Sequence, residues 1–189
     1  MEVRFPSWIT EAAAWSEDVI YLLDAELRFM DCNPAWDEFA AQNRGVGISR
    51  AEVCGRLILD FVPDVLRTFY VHKYWYAQHG EGWTEFDYHC SSPEKIRLFR
   101  MAMTCVGKEL LVVNHLLLEE ECEVGPPLSE VGKDLYVSPD HFATMCANCR
   151  KTKRRDDSAT WDWVPAFLQE HDFKISHGLC PRCAAHLYG

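Results

Sequence analysis

Apolar runs, some of them alternating with polar residues, predict five β-strands along the first 120 residues. In chain order they cover 18–24, 28–32, 83–90, 95–106 and 110–118. Three residues join the first two strands and short turns join the last three, so both groups are predicted to be antiparallel. The order therefore favours one antiparallel sheet of five strands.

Segments with apolar side chains at helical spacing lie before and between these strands. Residues 7–17 predict an N-terminal cap helix. Asn33 suits the N-cap and Pro34 the first turn of a second helix, which buries Trp36. A longer helix is predicted over 64–79. Helices inserted between two groups of antiparallel strands are typical of an α+β fold whose sheet is covered on one face.

Two CxxC pairs lie near the end of the chain. Cys146 with Cys149 forms one pair and Cys180 with Cys183 the other, with thirty residues between the pairs. Each CxxC turn points two sulfurs in one direction, so both pairs together can surround one tetrahedral ion. The pattern predicts a structural zinc ion, one per chain. Disulfides, redox-active dithiols and buried cysteines without a metal are the alternatives.

The residues around these cysteines refine the predicted site. His177 lies three residues before Cys180 and is predicted to orient the turn by a hydrogen bond, with coordination in place of a thiolate as the alternative. Four cysteines close the tetrahedron and leave no position for a catalytic water. The gap between the pairs must hold a folded element of its own, which we place at 161–168.

The charge is unevenly distributed. Residues 1–132 hold 11 Lys and Arg against 22 Asp and Glu, whereas residues 133–189 hold 8 against 7. The acidic part is expected to repel nucleic acid. The one concentrated basic run, 150–155, is interpreted as a solvated loop that moderates the charge of the thiolates. A zinc-ribbon nucleic-acid binder, with Trp161 and Trp163 as stacking groups, is the alternative.

The remaining composition bears on the compartment and on catalysis. No apolar run reaches the length of a membrane span, the start has no secretory pattern, and five of the nine cysteines are scattered singly, so we expect a cytoplasmic protein. The sequence shows no phosphate-binding glycine loop, nucleophile elbow, HExxH motif or histidine-kinase ATP-binding blocks. We therefore expect a protein that is not an enzyme.

Three segments resemble a PAS domain that covers about residues 16–120. They are 18–24 (DVIYLLD), 32–36 (CNPAW) and 55–61 (GRLILDF), and the three-strand meander follows them. The cysteine segments, with SHGLCPRC at 176–183, also resemble a cysteine box found after PAS domains in bacterial signalling proteins. The resemblance implies a sensory protein that binds a signalling partner or a small ligand and forms a homodimer, with the helix around Trp8 and Trp15 as a candidate contact.

The PAS resemblance also implies a pocket between the sheet and the helices. The residues expected to line it are aromatic, and they equally fit an ordinary packed core: Trp36, Phe39, Phe61, Phe69 and Trp75. His72 lies on the helix that carries the proximal histidine in heme-binding PAS proteins. A heme-dependent sensor, or a redox sensor that releases zinc on thiolate oxidation, is therefore the alternative to a ligand-binding or partner-binding sensor.

An acidic run at 119–123, followed by Gly and two Pro residues, predicts the main domain boundary. A short strand at 135–137 is predicted within a connector that packs partly on the sheet. The predicted organisation is a cap helix at 1–17, a PAS-like domain at 18–121, a linker at 122–144 and a zinc module at 145–189.

Overall fold

The computed structural model describes residues 5–43, 45–122, 132–169 and 171–189, without the side chain of Trp8. The chain forms two compact units that interleave along the sequence. The first unit comprises residues 1–62, 70–87 and 99–116, and the second comprises residues 63–69, 88–98 and 117–189. The predicted boundaries divide the chain into consecutive segments, and they stay predictions.

Five strands form the larger sheet in the order β2-β1-β5-β4-β3. They are β1 (Val19–Leu23), β2 (Phe29–Cys32), β3 (Thr84–His89), β4 (Lys95–Val106) and β5 (Glu109–Glu121). β1 pairs antiparallel with both β2 and β5. The structure confirms the predicted five-stranded antiparallel sheet with helices.

Four α-helices accompany this sheet, one before it and three between β2 and β3. They are α1 (Ser7–Trp15), α2 (Pro34–Gln42), α3 (Arg50–Val53) and α4 (Asp64–His79), and a 3-10 helix (Ile58–Phe61) precedes α4. A capping box between Ser49 and Glu52 starts α3. In the part of the chain that the structure describes, no helix has both the length and the apolar composition needed to cross a membrane.

Asn33 holds three segments of the first unit together. It occupies the predicted N-cap position of α2, but its side chain makes no capping bond. Its Oδ1 instead accepts from the Ile20 backbone N–H at 2.9 Å, and its Nδ2 donates to the carbonyls of Ala13 at 3.1 Å and Asp18 at 2.8 Å. The side chain is buried, so α1, β1 and α2 share one set of satisfied polar groups.

The second unit contains a smaller sheet in the order β8-β7-β6-β9. Its elements are β6 (Phe142–Cys146), β7 (Thr152–Lys153), β8 (Trp161–Asp162), a 3-10 helix (Pro165–Leu168), β9 (Lys174–Gly178) and α5 (Pro181–Tyr188). Six buried residues form its apolar cluster: Ala143, Met145, Val164, Ala166, Phe167 and Phe173. The gap between the CxxC pairs thus holds a folded element at 161–168, as predicted.

The predicted strand at 135–137 is wrong. The structure has a 3-10 turn there (Lys133–Leu135), and Tyr136 and Val137 pack against the apolar cluster of the second unit. Arg155 explains the difference, because its guanidinium donates to the carbonyl of Val137 and its backbone N–H to that of Leu135. These backbone groups are therefore bonded to one arginine rather than to a strand. Residues 123–131 of the predicted linker lie outside the described residues.

The contacts of Asn33 predict a large cost for its removal. Asn33→Ala leaves one buried donor and two carbonyls of the first unit without their partner, so we expect a loss of about 3 kcal/mol in the free energy of unfolding. Chemical denaturation measures the loss. Asn43→Ala serves as the control. It removes the bond from Asn43, the residue just after α2, to the Phe39 carbonyl within the helix, and it should cost under about 1 kcal/mol. Equal losses in both variants would contradict the role assigned to Asn33.

Candidate metal centre

The pairing of β6 and β9 brings the two CxxC turns together. The strands are parallel, with Cys146 at the end of β6 opposite Gly178 at the end of β9. Parallel strands leave a sheet at the same edge, so both turns start side by side. The Ala147 N–H donates to the Gly178 carbonyl at 2.9 Å and continues the pairing into the first turn. A parallel pair also requires a crossover of a dozen or more residues, which accounts for the thirty-residue gap.

The four sulfurs have the spacing of a tetrahedral thiolate site. The Sγ atoms of Cys146, Cys149, Cys180 and Cys183 all lie within 4.8 Å of one another. Those of Cys149 and Cys180 are 3.7 Å apart. A tetrahedron with metal–sulfur bonds of about 2.3 Å has an edge of about 3.8 Å, whereas a disulfide bond measures about 2.05 Å. All four thiols are free, and the predicted four-cysteine cluster is therefore confirmed, with spacing that fits a metal ion.

Backbone N–H groups of the second turn point at these sulfurs. The Cys180 N–H donates to Cys146 Sγ at 3.4 Å, and the Cys183 N–H donates to Cys180 Sγ at 3.4 Å. Cys180 occupies the N-cap position of α5, with Pro181 in the first turn. Amide donors and the positive end of a helix both stabilise thiolates, so this turn is suited to negatively charged sulfur.

The thiols also control the ionisation of one another. Hydrogen bonds from Cys149 and Cys183 hold the pKa of Cys146 well below the ordinary thiol value. The bond to Cys146 in turn raises the pKa of Cys183 to about 12. One thiolate thus suppresses the ionisation of its neighbour. A divalent cation bound among the sulfurs would reduce this repulsion, because it offsets part of the negative charge of all four at once.

Asn148, inside the first CxxC turn, is a site residue that the sequence analysis missed. Its Oδ1 accepts from the His89 backbone N–H at 3.0 Å, and its Nδ2 donates to Cys183 Sγ at 3.4 Å. The sequence feature that could have indicated this role is a polar residue between Cys146 and Cys149. The sequence gives no indication of the contact with His89, which lies almost sixty positions earlier.

His177 does not join the four sulfurs. It lies on β9 opposite Met145, its side chain is exposed, and the cluster found among the described residues consists of the four cysteines. Desolvation of the part of its ring that faces the protein, followed by the charge of Arg150, lowers the pKa of His177. The predicted role in orienting the turn stays a prediction.

Part of the basic run at 150–155 has internal partners. Arg154 donates from Nε and Nη2 to the Asp156 carboxylate at 3.0 and 3.2 Å, and Arg155 bonds to the carbonyls of Asp134 and Val137. Trp161 packs against the buried cysteines. These contacts weaken the alternative of a nucleic-acid binder. Arg154, Arg155 and the Trp161 ring, which such a binder would use, already have partners within the protein.

Several aromatic residues predicted to line a pocket make contacts with other aromatic rings. Trp36 and Phe61 both contact Phe29, with ring centroids 5.2 and 5.6 Å from it. Phe39 lies edge-on to Phe99. Phe69 is buried in the second unit against Tyr188. Such contacts fit the packed-core alternative that the sequence analysis left open.

His72 and Trp75 lie on the exposed face of α4. Trp75 is 53% exposed and stacks on His79 at 4.7 Å, while Leu66, Phe69, Tyr74 and Ala77 form the buried face of the helix. His72 lies three positions before Trp75, which places both residues on one side of the helix. The structure thus does not bring these two residues into an interior pocket, and it provides no support for heme ligation by His72.

A surface groove in the first unit lies between α2 and α3. Its volume is about 390 Å³, and small and polar residues line it: Asp37, Ala40, Ala41, Gly45, Ser49, Arg50 and Ala51. Arg50 Nε donates to the buried Asp31 carboxylate at 2.6 Å. None of the predicted pocket residues lies in its lining.

No family model matches the sequence, and no curated protein is similar to it. Solved structures are similar to just over half of the chain. One is a domain of a sensory box sensor histidine kinase/response regulator from Geobacter sulfurreducens, at 16% identity over 58% of this chain and 92% of that domain, with a TM-score of 0.44. Another is the PAS domain of an HTR-like protein from Haloarcula marismortui, at 18% identity over 59% of this chain and 90% of that domain, with a TM-score of 0.42.

A further domain of an HTR-like protein from Haloarcula marismortui is similar at 13% identity, over 55% of this chain and all of that domain, with a TM-score of 0.40. All three TM-scores lie below 0.5, so the assignment of the fold depends on the strand order of this chain itself.

Cobalt provides a test of the four-thiolate geometry. Protein reconstituted with Co²⁺ should show thiolate-to-metal charge-transfer bands and the intense visible bands of a tetrahedral site, at one ion per chain. Cys180→Ser should lose most of this absorption, because one of the four sulfurs is replaced by a hydroxyl oxygen. Cys54→Ser, which changes an exposed cysteine outside the cluster, is the matched control. A weak six-coordinate spectrum from the unchanged protein would contradict the predicted site.

Proposed function

We propose that this protein is a sensory signal-transduction protein. In this proposal the PAS-type part binds a small ligand or a protein partner, and the four cysteines hold one zinc ion that is structural. The observation that carries the proposal is a closed centre of four thiols in the same compact unit as residues 88–98, which comprise the end of β3, the β3–β4 connection and the start of β4 in the PAS-type sheet. A metal module joined to such a sheet is suited to changing shape or partner affinity rather than to turning over a substrate.

The closed ligand set supports a structural role for the metal. Cys146, Cys180 and Cys183 are buried and Cys149 is partly buried, so protein atoms surround the sulfurs. Catalytic zinc keeps a position open for water or substrate, whereas structural zinc uses all four. Metal binding by the four thiols is expected to contribute to the folding free energy of this unit. The proposal therefore includes no catalytic activity.

Elemental analysis and an absorption spectrum of the untreated, purified protein test this proposal directly. We expect one zinc ion per chain and no absorption beyond the aromatic band. Small molecules released by denaturation and identified by mass spectrometry would reveal a resident ligand. Iron with a Soret band would overturn the proposal in favour of a heme sensor, and protein without any metal would remove the structural zinc.

Dimer formation is the part of the proposal that concerns α1. Trp15 ends this helix with 84% of its surface exposed, and burial of such a ring against a second copy would be favourable. If α1 forms the contact, Trp15→Glu should weaken the dimer at least tenfold, since an interface tryptophan contributes about 2 kcal/mol. Analytical ultracentrifugation measures the change, with Trp83→Glu as the control at another exposed tryptophan. A monomeric unchanged protein, or equal effects of both variants, would reject the contact.

A further inference from the structure

Asn148 lies between two regions of the second unit that are far apart in sequence. On one side are the cysteines of the candidate metal centre, and on the other is His89 at the end of β3. The side chain of Asn148 is almost fully buried, at 3% exposure. Both of its polar ends are therefore bonded to protein atoms rather than to solvent.

Hydrogen-bond chemistry fixes which end of the amide faces which partner. The backbone N–H of His89 can only donate, so Oδ1 of Asn148 must face it. The NH₂ group then faces Cys183 Sγ, where it donates. A bound metal ion would fix the position of Cys183 Sγ, because a metal–sulfur bond restrains the side chain. The bond between Asn148 and Cys183 is therefore expected to be more persistent when the centre holds a metal.

His89 leads in turn to a second set of bonds. Its Nδ1 contacts the Arg97 carbonyl at 3.1 Å, and the Cys90 N–H donates to the same carbonyl at 3.3 Å. The Arg97 guanidinium, which is buried, donates to the Glu119 carboxylate at 2.7 Å. Bonds thus connect Cys183 through Asn148 and His89 to the β4 and β5 residues of this unit.

We propose that Asn148 couples occupancy of the four-cysteine centre to the order of residues 88–98. With a metal bound, the Cys183 thiolate holds the amide of Asn148, and the amide holds the His89 N–H. When the metal leaves, the first bond weakens, and the end of the β3–β4 hairpin opens more often. The inference rests on the proposed function in requiring that the cysteines bind a metal, but it assigns Asn148 a positioning role that a purely structural zinc site does not need.

Amide hydrogen exchange of the full chain, resolved by residue with NMR, tests the coupling. We expect the His89 amide of zinc-loaded protein to exchange at least tenfold more slowly than that of chelator-treated protein. In zinc-loaded Asn148→Ala, which loses both contacts, His89 should exchange about tenfold faster than in the zinc-loaded unchanged protein, while Met145 in β6 stays protected. Protection of Met145 distinguishes this local effect from unfolding of the whole unit.

Asn148→Asp separates the two contacts. Its carboxylate still accepts from the His89 N–H, but it cannot donate to the sulfur and repels the thiolate. We therefore expect zinc affinity to fall by about tenfold to a hundredfold, and the exchange of His89 to lose its dependence on zinc. Asn43→Ala, which lies in the first unit, is the control and should preserve the full dependence of His89 exchange on zinc.

Two outcomes would overturn the proposal. One is zinc-loaded protein whose His89 exchange equals that of the chelated protein. The other is Asn148→Ala with the same response to zinc as the unchanged protein, because the coupling would then bypass Asn148. Failure of the proposed function itself is recognised earlier and separately, since the unchanged protein would then contain no metal.

Discussion

Four sulfur atoms within 4.8 Å of one another cannot all carry negative charge unless a cation lies among them. This electrostatic constraint governs the second unit, because its two CxxC turns, the start of α5 and the ends of β6 and β9 all meet at the sulfurs. Amide donors from Cys180 and Cys183 lower the cost of the charge without removing it. The meeting point of these elements is therefore also the candidate metal centre.

The first unit depends on a different kind of constraint. Asn33 there bonds to a donor of β1 and to the carbonyls of Ala13 and Asp18 with one neutral side chain. Apolar contacts between α1 and the sheet, through Ala13, Ile20 and Leu111, add to the stability of this unit. The two units are therefore expected to respond differently to chelators, since only one of them contains the candidate metal centre.

Local sequence patterns predicted the parts of the structure that local interactions determine. The bounds of α4 and β4 agree with the spacing of apolar residues, and the cysteine spacing led to the cluster. Contacts between segments that are distant in sequence produce no local pattern. The bond of Asn148 to His89 and the bonds of Arg155 to backbone carbonyls were therefore not predicted. The faces of α4 were ambiguous for another reason, because aromatic side chains occur all around that helix and Trp75 resembles a core residue in sequence.

The parallel pairing of β6 with β9 has a consequence for the order of assembly. Its two strands are joined by the crossover at 147–173, and closing a loop of that length costs about 3 kcal/mol in chain entropy before the two strands pair. A metal ion that binds first to the Cys146–Cys149 turn would act as a reversible crosslink once the second turn also binds it. The pace at which this unit folds would then follow the supply of free metal in the surrounding solution.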